Sequence, residues 1–161
     1  MRHGAGSCPE AGGASSNPLL GHPLNTHSDE LEVIIKINSE DDILSARQKA
    51  RTLALGAGFS LTDATLVATA VSELARNIIL YARQGEIEEK IVRGSDRVGI
   101  VIVARDGGPG IHDVERAMQI GYSTSRSLGL GLPGVKRLMD DFEIVSKAGQ
   151  GTIVTARKWK R

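Results

Sequence analysis

The pattern of apolar and polar positions predicts a strand followed by a helix where the regular part of the chain begins. The run LEVIIKI at 31–37 is rich in β-branched residues, which is typical of a strand. Ser39 and Asp42 then resemble a capping box, which marks the start of a helix. Apolar residues recur behind them at helical spacing, so we expect a helix that ends at Gly56 and Gly58.

The clearest helical stripe lies in the next segment. Its apolar residues recur at i, i+4, i+7, i+11 and i+14 and are Val67, Val71, Leu74, Ile78 and Tyr81. A hydroxyl at Ser60 or Thr62 can cap this helix. We expect the whole stripe to pack on the core.

The later apolar runs complete a mixed pattern of helices and strands. They predict strands at 86–93 and 98–105, a short helix near 112–119, a helix near 133–140, and strands at 142–148 and 151–158. The run at 98–105 is apolar at almost every position, as expected for a central strand. The order βααββααββ predicts the α+β fold class, a two-layer α/β sandwich with helices on one face of a mostly antiparallel sheet.

The first 29 residues differ from the rest of the chain. Gly, Ala, Ser, Pro, Asn and His dominate them, and no periodicity is sustained. Because this stretch has too little apolar surface to offset its ordering entropy, residues 1–29 are predicted to be a disordered tail. Residues 30–161 are then one domain. The single cysteine, Cys8, excludes a disulfide framework within the chain and a zinc site built on cysteines.

Charge and composition argue against several partners. The formal net charge is +1 and aromatic residues make up 3% of the chain, so neither a basic surface nor a base-stacking platform for nucleic acid is expected. No apolar run approaches the ~20 residues that span a bilayer. Since the N-terminus also lacks the apolar region of a secretory signal, we expect a cytoplasmic protein.

A glycine-rich segment raises the question of a phosphate ligand. Gly129, Gly131 and Gly134 have the G-x-G-x-x-G spacing of a dinucleotide-binding turn. That turn needs a strand before it and an acidic residue about 20 positions later, but polar GYSTSRS precedes it and Val154 stands at the later position. The glycines do open a predicted helix, whose N–H groups and dipole favour an anion. A phosphate loop and a plain flexible turn both remain open.

Polar residues flank the apolar stripe of the long helix. Glu73 and Asn77, four apart in SELARN, share one helix face. A carboxamide there can complete a Mg²⁺ shell together with phosphates. A carboxylate one turn away can take a proton from a nucleophile. A solvated helix edge is the alternative interpretation.

Two turns add further candidates. RDGGPG at 105–110 places Asp106 at the end of the most apolar strand, where a carboxylate needs a donor such as an adenine amino group. Gly108 and Gly110 allow a planar ligand to approach closely. Thr152, in GQGT, can add a hydroxyl to the same pocket. Ordinary tight turns also explain both segments.

Taken in order, these segments resemble the GHKL ATPase superfamily, which includes histidine-kinase catalytic domains, Hsp90, MutL and the anti-sigma-factor kinases. The runs SELARNI, DGGPGI, GYSTSRSLGLGLPGVKRLMDDFEI and GTIVTARKW are most similar to the serine/threonine switch kinases of bacterial stressosomes, over about 31–160. The resemblance implies a Bergerat fold, in which ATP binds between helices and sheet under a mobile lid.

The resemblance also implies a role for each matched residue. Glu73 would be the catalytic base, Asn77 would hold Mg²⁺ through the ATP phosphates, and Asp106 would bond the adenine amino group. Gly108 and Gly110 would line the adenine. The other implied ATP contacts are the lid residues Ser123, Thr124, Ser125, Gly129, Leu130 and Gly131, and Thr152 through water.

The implied function is an ATP-dependent protein serine/threonine kinase in a bacterial stress-response pathway. Family members phosphorylate small STAS-domain proteins and, on release, activate a PP2C-type phosphatase. The alternative is a nucleotide-dependent anti-sigma or partner-binding module with little kinase activity. A detached histidine-kinase catalytic domain would need an acceptor histidine on a helix hairpin, and His112 does not fit that position. Arg105 and Arg126 depart from the family pattern, and these departures could alter lid closure or the choice of partner.

Overall fold

Five strands form one sheet in residues 31–119 and 131–161, the part of the chain that this computed structural model describes. They are β1 (Glu32–Ile37), β2 (Gly85–Arg93), β3 (Val98–Asp106), β4 (Asp141–Lys147) and β5 (Gly151–Trp159). Their order across the sheet is β1-β2-β3-β5-β4, and every neighbouring pair is antiparallel. The apolar β3 is the central strand, as its sequence predicts. The predicted tail at 1–29 lies outside the described residues.

The helices begin at the caps that the sequence indicates. They are α1 (Glu40–Gly56), α2 (Leu61–Asn77), α3 (Val114–Ala117) and α4 (Gly131–Leu138). The Ser39 amide donates to the Asp42 carboxylate at 2.9 Å, which confirms the capping box of α1. Ser60 caps α2, because its hydroxyl accepts from the Asp63 amide at 3.0 Å. The predicted short helix near 112–119 is a single turn, and α4 begins two residues before the predicted start at 133.

The core lies between one face of the sheet and the helices. Alternate strand residues such as Ile87 and Ile102 point to this face, and the α2 residues Val71 and Leu74 pack against them. Helix α2 also packs on both α1 and α4. The two-layer α+β architecture is therefore confirmed. None of the helices in the two described ranges is long and apolar enough to cross a membrane.

The end of the α2 stripe differs from the prediction. Four of its five residues are buried, but Tyr81 is 54% exposed, so the expectation that it packs on the core is wrong. The backbone changes to a π-helical turn at Ile78–Ala82, directly after Asn77. A π turn holds more residues than an α turn, so it rotates Tyr81 away from the core. Arg83, at φ +69°, ends the turn.

Candidate functional site

The carboxylate of Glu73 is buried at the contact between α2 and α4. Glu73 is 4% exposed, and Arg76 Nη1 donates to its Oε1 at 2.7 Å. The amide of Gly131, the first residue of α4, donates to Oε2 at 3.3 Å. Both carboxylate oxygens are thus held from within the protein. The solvated-edge interpretation of this residue is wrong, because α4 covers it.

Asn77 follows Glu73 by one helical turn and is half-buried at the point where α2 becomes π-helical. Short π segments occur frequently at functional sites. Here the turn carries Ala82 over the loop that follows β3. A Cβ placed on Gly108 would lie 2.6 Å from the Ala82 Cβ, so only glycine lets the loop approach this closely.

Asp106 and Thr152 face each other where β3 ends and β5 begins. Asp106 Oδ1 accepts from the Gly108 amide at 2.9 Å, which fixes the carboxylate. Its Oδ2 can accept from a ligand amino group. Strand alternation places both side chains on the core face, so the structure brings together the two adenine contacts that the resemblance implies.

The loop after Asp106 is tied to the turn between β4 and β5. Gly110 has φ +72°, and a Cβ there would come 2.1 Å from the Lys147 carbonyl oxygen. The Gly149 amide donates to the Pro109 carbonyl at 2.7 Å. The two glycine-containing turns that the sequence singles out therefore form one structural unit.

Sequence reasoning missed two side chains of this site. Ser146 Oγ accepts from the Ile111 amide at 2.8 Å and lies 2.9 Å from Thr152 Oγ1, so it links β4 to the loop. Its position opposite Thr152 follows only from the register of β4 and β5. Arg76 was also missed, although the Glu73–Arg76 spacing of three on a helix signals an ion pair.

An open cleft of about 410 Å³ borders Asp106 and Gly107. Lys36, Asn38, Gln84, Gly85, Glu86 and Arg105 complete its lining. Arg105 Nη1 lies 2.8 Å from Glu88 Oε2 on the sheet face opposite the core, because adjacent strand residues point to opposite faces. The side chain of Arg105, the residue that departs from the family pattern, therefore points away from the Asp106 carboxylate.

The described residues suit ATP by the kind of group they present. They place an acceptor at Asp106, a half-buried carboxamide at Asn77 and the start of α4 at Gly131. Groups of three or more His, Cys, Asp or Glu that could hold a metal ion are absent from 31–119 and 131–161. In nucleotide sites generally, Mg²⁺ takes most of its oxygen ligands from phosphates and water. Of the predicted lid, only Gly131 is described; Ser123, Thr124, Ser125, Gly129, Leu130 and also Arg126 lie outside the described residues.

Comparison with known proteins shows the family. Residues 38–158 match the histidine kinase-like ATPase domain. The chain belongs to this family. As a member of the histidine kinase-like ATPase family it uses ATP, and the five-stranded sheet with its helical layer agrees with the family's fold. The resemblance to GHKL ATPases is thereby confirmed.

Named relatives of this ATPase-family chain fall into two groups. The serine/threonine-protein kinase RsbT of Bacillus subtilis (strain 168) is 50% identical over 127 residues, which are 79% of this chain and 96% of that protein. The anti-sigma F factor of Caldanaerobacter subterraneus subsp. tengcongensis is 33% identical over 99 residues, or 58% of this chain and 68% of that protein. The anti-sigma F factor of Clostridium beijerinckii is 35% identical over 100 residues, with 57% and 68% covered.

Proposed function

We propose that this protein is an ATP-dependent serine/threonine kinase that phosphorylates a protein partner. The observation that carries the proposal is the buried Glu73 carboxylate, oriented by Arg76 and by the first amide of α4. The 50% identity to RsbT, a serine/threonine-protein kinase, supports the same reaction. A bare nucleotide-binding surface would not need an oriented, buried carboxylate at the start of a helix.

In this reaction the hydroxyl oxygen of a partner serine or threonine attacks the γ-phosphorus of ATP. The bond from that phosphorus to the bridging oxygen breaks, and ADP leaves. Glu73 takes the hydroxyl proton, as a positioned carboxylate can. Positioning and charge stabilisation supply most of the acceleration in phosphoryl transfer.

The remaining site residues bind the nucleotide in this proposal. Asp106 accepts from the adenine amino group, Thr152 contacts adenine through water, and the Gly108–Gly110 loop lines the ring. Asn77 would hold Mg²⁺, which neutralises charge on the phosphates when bound. The amide of Gly131 lies where an α4 N-terminus can favour an anion. The lid residues between 123 and 130 stay a prediction.

Partners are proposed from the resemblance. STAS-domain proteins would carry the acceptor residue, and a PP2C-type phosphatase would be the second partner of a switch in a cytoplasmic stress-response pathway. The relatives called anti-sigma F factors favour one alternative, a nucleotide-dependent module that binds partners with little phosphoryl transfer. Both functions need ATP, so they differ in what happens to the γ-phosphate.

The test combines ATP binding with transfer. Calorimetry of MgATP with the purified chain should give saturable binding that Asp106→Asn weakens at least about tenfold, since one buried hydrogen bond is lost. ATP labelled at the γ-phosphate should then label a member of a panel of purified STAS-domain proteins. Glu73→Gln should bind ATP normally but transfer about 100-fold more slowly.

Each result separates the candidates. Binding without transfer to any STAS-domain protein would favour the partner-binding module. Transfer at the parent rate in Glu73→Gln would remove the proposed base. A folded chain that binds no ATP would overturn both functions.

A further inference from the structure

We propose that Arg76 is a positioning residue for the catalytic base Glu73; the inference rests on the proposed kinase function. The guanidinium Nη1 lies 2.7 Å from Glu73 Oε1, with the Arg76 side chain 32% exposed and the Glu73 side chain 6% exposed. This contact joins a mostly covered carboxylate to a cation that reaches toward solvent. The resemblance assigns Arg76 no role in ATP binding or in phosphoryl transfer.

Burial of the carboxylate makes this pair different from an ordinary helix-surface pair. Pairs three apart on an exposed helix contribute little, because water solvates both charges. Glu73 is 4% exposed where α2 packs on α4, so little water reaches its carboxylate and the donors that contact it come from the protein. Among the described residues, Arg76 is a positively charged donor to it.

The second donor fixes the direction of the carboxylate. The Gly131 amide reaches Oε2 at 3.3 Å, whereas Arg76 holds Oε1. With one anchor on each oxygen, rotation of the carboxyl group is restricted. Each carboxylate oxygen carries two acceptor sites, so a site remains on either oxygen for a substrate hydroxyl. The arrangement thus holds the base without using up its capacity to accept a proton.

The charge of Arg76 also matters next to a nucleotide. The carboxylate lies at the N-terminus of α4, a place that favours phosphate as much as carboxylate. Two anions close together repel each other, and a cation on the carboxylate offsets that repulsion. Arg76 therefore keeps Glu73 in place when the phosphates arrive. Its loss should impair the transfer step by a much larger factor than it weakens ATP binding.

The experiment compares the parent with Arg76→Gln, Arg76→Lys and the control Arg51→Gln, in which an exposed arginine of α1 is changed. We expect kcat for transfer to a STAS-domain protein to fall 10- to 100-fold in Arg76→Gln, because small misplacements of a catalytic group have effects of this size. The dissociation constant of ATP should change less than about threefold. Arg76→Lys should recover part of kcat, and Arg51→Gln should match the parent.

A double-mutant cycle with Glu73→Gln decides whether Arg76 acts through the base. In that background Arg76→Gln should cause no further loss of kcat, since the group it positions is gone. An undiminished further loss would overturn the proposal. Weaker ATP binding with kcat unchanged would also overturn it and would make Arg76 a phosphate contact.

Folding and function are controlled separately. The melting temperature of each variant shows whether the chain is folded. If Arg76→Gln unfolds, Arg76→Met, which keeps the length of the side chain without its charge, carries the test, and a parent-like kcat in that variant overturns the inference. Failure of the parent itself to transfer phosphate overturns the proposed function and this role with it, whereas parent transfer with an unaffected Arg76→Gln overturns this role alone.

Discussion

A buried glutamate beneath α1 should make the stability of the protein fall as the pH rises. Glu89 lies on the core face of β2, between Val33 of β1 and Ile102 of β3. It is 0% exposed, and neither carboxylate oxygen has a hydrogen-bond partner within the described residues. Burial raises the pKa of Glu89 to about 8, and the positive charge of Lys49 on α1 lowers it only in part.

The direction of this pH dependence follows from comparing the protonation of Glu89 in the folded and unfolded chains. The pKa of Glu89 in the folded chain lies above its ordinary value of 4.5, so the folded chain keeps a proton that the unfolded chain releases. The stability that the folded chain has with Glu89 protonated is fully present below about pH 4.5 and is lost as the pH rises from there through about 8. Between these limits the free energy of unfolding falls by ~1.4 kcal/mol per pH unit. From pH 5 to pH 7 the loss is about 3 kcal/mol, a large share of a domain's stability.

Glu89→Gln removes this titration while keeping the shape of the side chain. Urea unfolding at several pH values between about 5 and 8 should show that the variant gains on the parent by ~1.4 kcal/mol per pH unit. A difference that stays constant over this range would refute the reasoning, because it would mean that Glu89 is charged in the folded chain throughout.

The neighbouring Glu88 provides the matched control. It points to the opposite face of β2, where Arg105 lies 2.8 Å and Lys90 3.2 Å from its carboxylate. Burial tends to raise the pKa of Glu88, but the two cations outweigh it and hold the pKa below its ordinary value. Glu88→Gln should therefore show no progressive gain over the parent between pH 5 and pH 8.

Two further substitutions test the site loop and the sheet edge. Gly110→Ala should destabilise the chain by at least about 2 kcal/mol and weaken ATP binding, since a Cβ at φ +72° would overlap the Lys147 carbonyl. Urea unfolding measures the stability and calorimetry measures the ATP affinity. The control Gly107→Ala, which has open space around the added Cβ, should resemble the parent in both measurements. Asp140→Ala should lower the free energy of unfolding by about 3 kcal/mol, because Lys158 is 4% exposed and loses a carboxylate 3.4 Å away. An equal loss in Gly107→Ala, or an unchanged urea midpoint in Asp140→Ala, would contradict these two interpretations.

Elements with local signals were predictable from the sequence. The capping box at Ser39, the helical period from Val67 and the apolar run of β3 each depend on residues close together in the chain, and the structure confirms all three. Strand alternation alone also predicts that Asp106 and Arg105 point to opposite faces of β3.

Other features depend on contacts between distant parts of the chain. The sequence does not indicate the π turn after Asn77, because Ile78 and Tyr81 both fit the apolar period of an α-helix. In the structure only Ile78 is buried. Strand alternation places Glu89 on the same face as Ile87 and Ile91, and only the packing of α1 on β2 shows that its carboxylate is buried without a partner in the described residues. The covering of Glu73 by α4 likewise requires the packing of two helices that are 58 residues apart at their hydrogen bond.

The two ends of the proposed site are built in different ways, and this difference determines how substitutions should act. At the adenine end, backbone positions decide the shape: Gly108 lies against Ala82, and Gly110 against the Lys147 carbonyl. An added methyl group there displaces the loop and should change ATP affinity. At the phosphate end, side-chain charges decide the arrangement, because Arg76 and an α4 amide hold Glu73. Substitutions there leave the loop intact and should change kcat. If the protein is a kinase, its variants should therefore fall into two classes, which measurements of ATP affinity and kcat in the same proteins separate. If it is a partner-binding module, only the class with altered ATP affinity is expected.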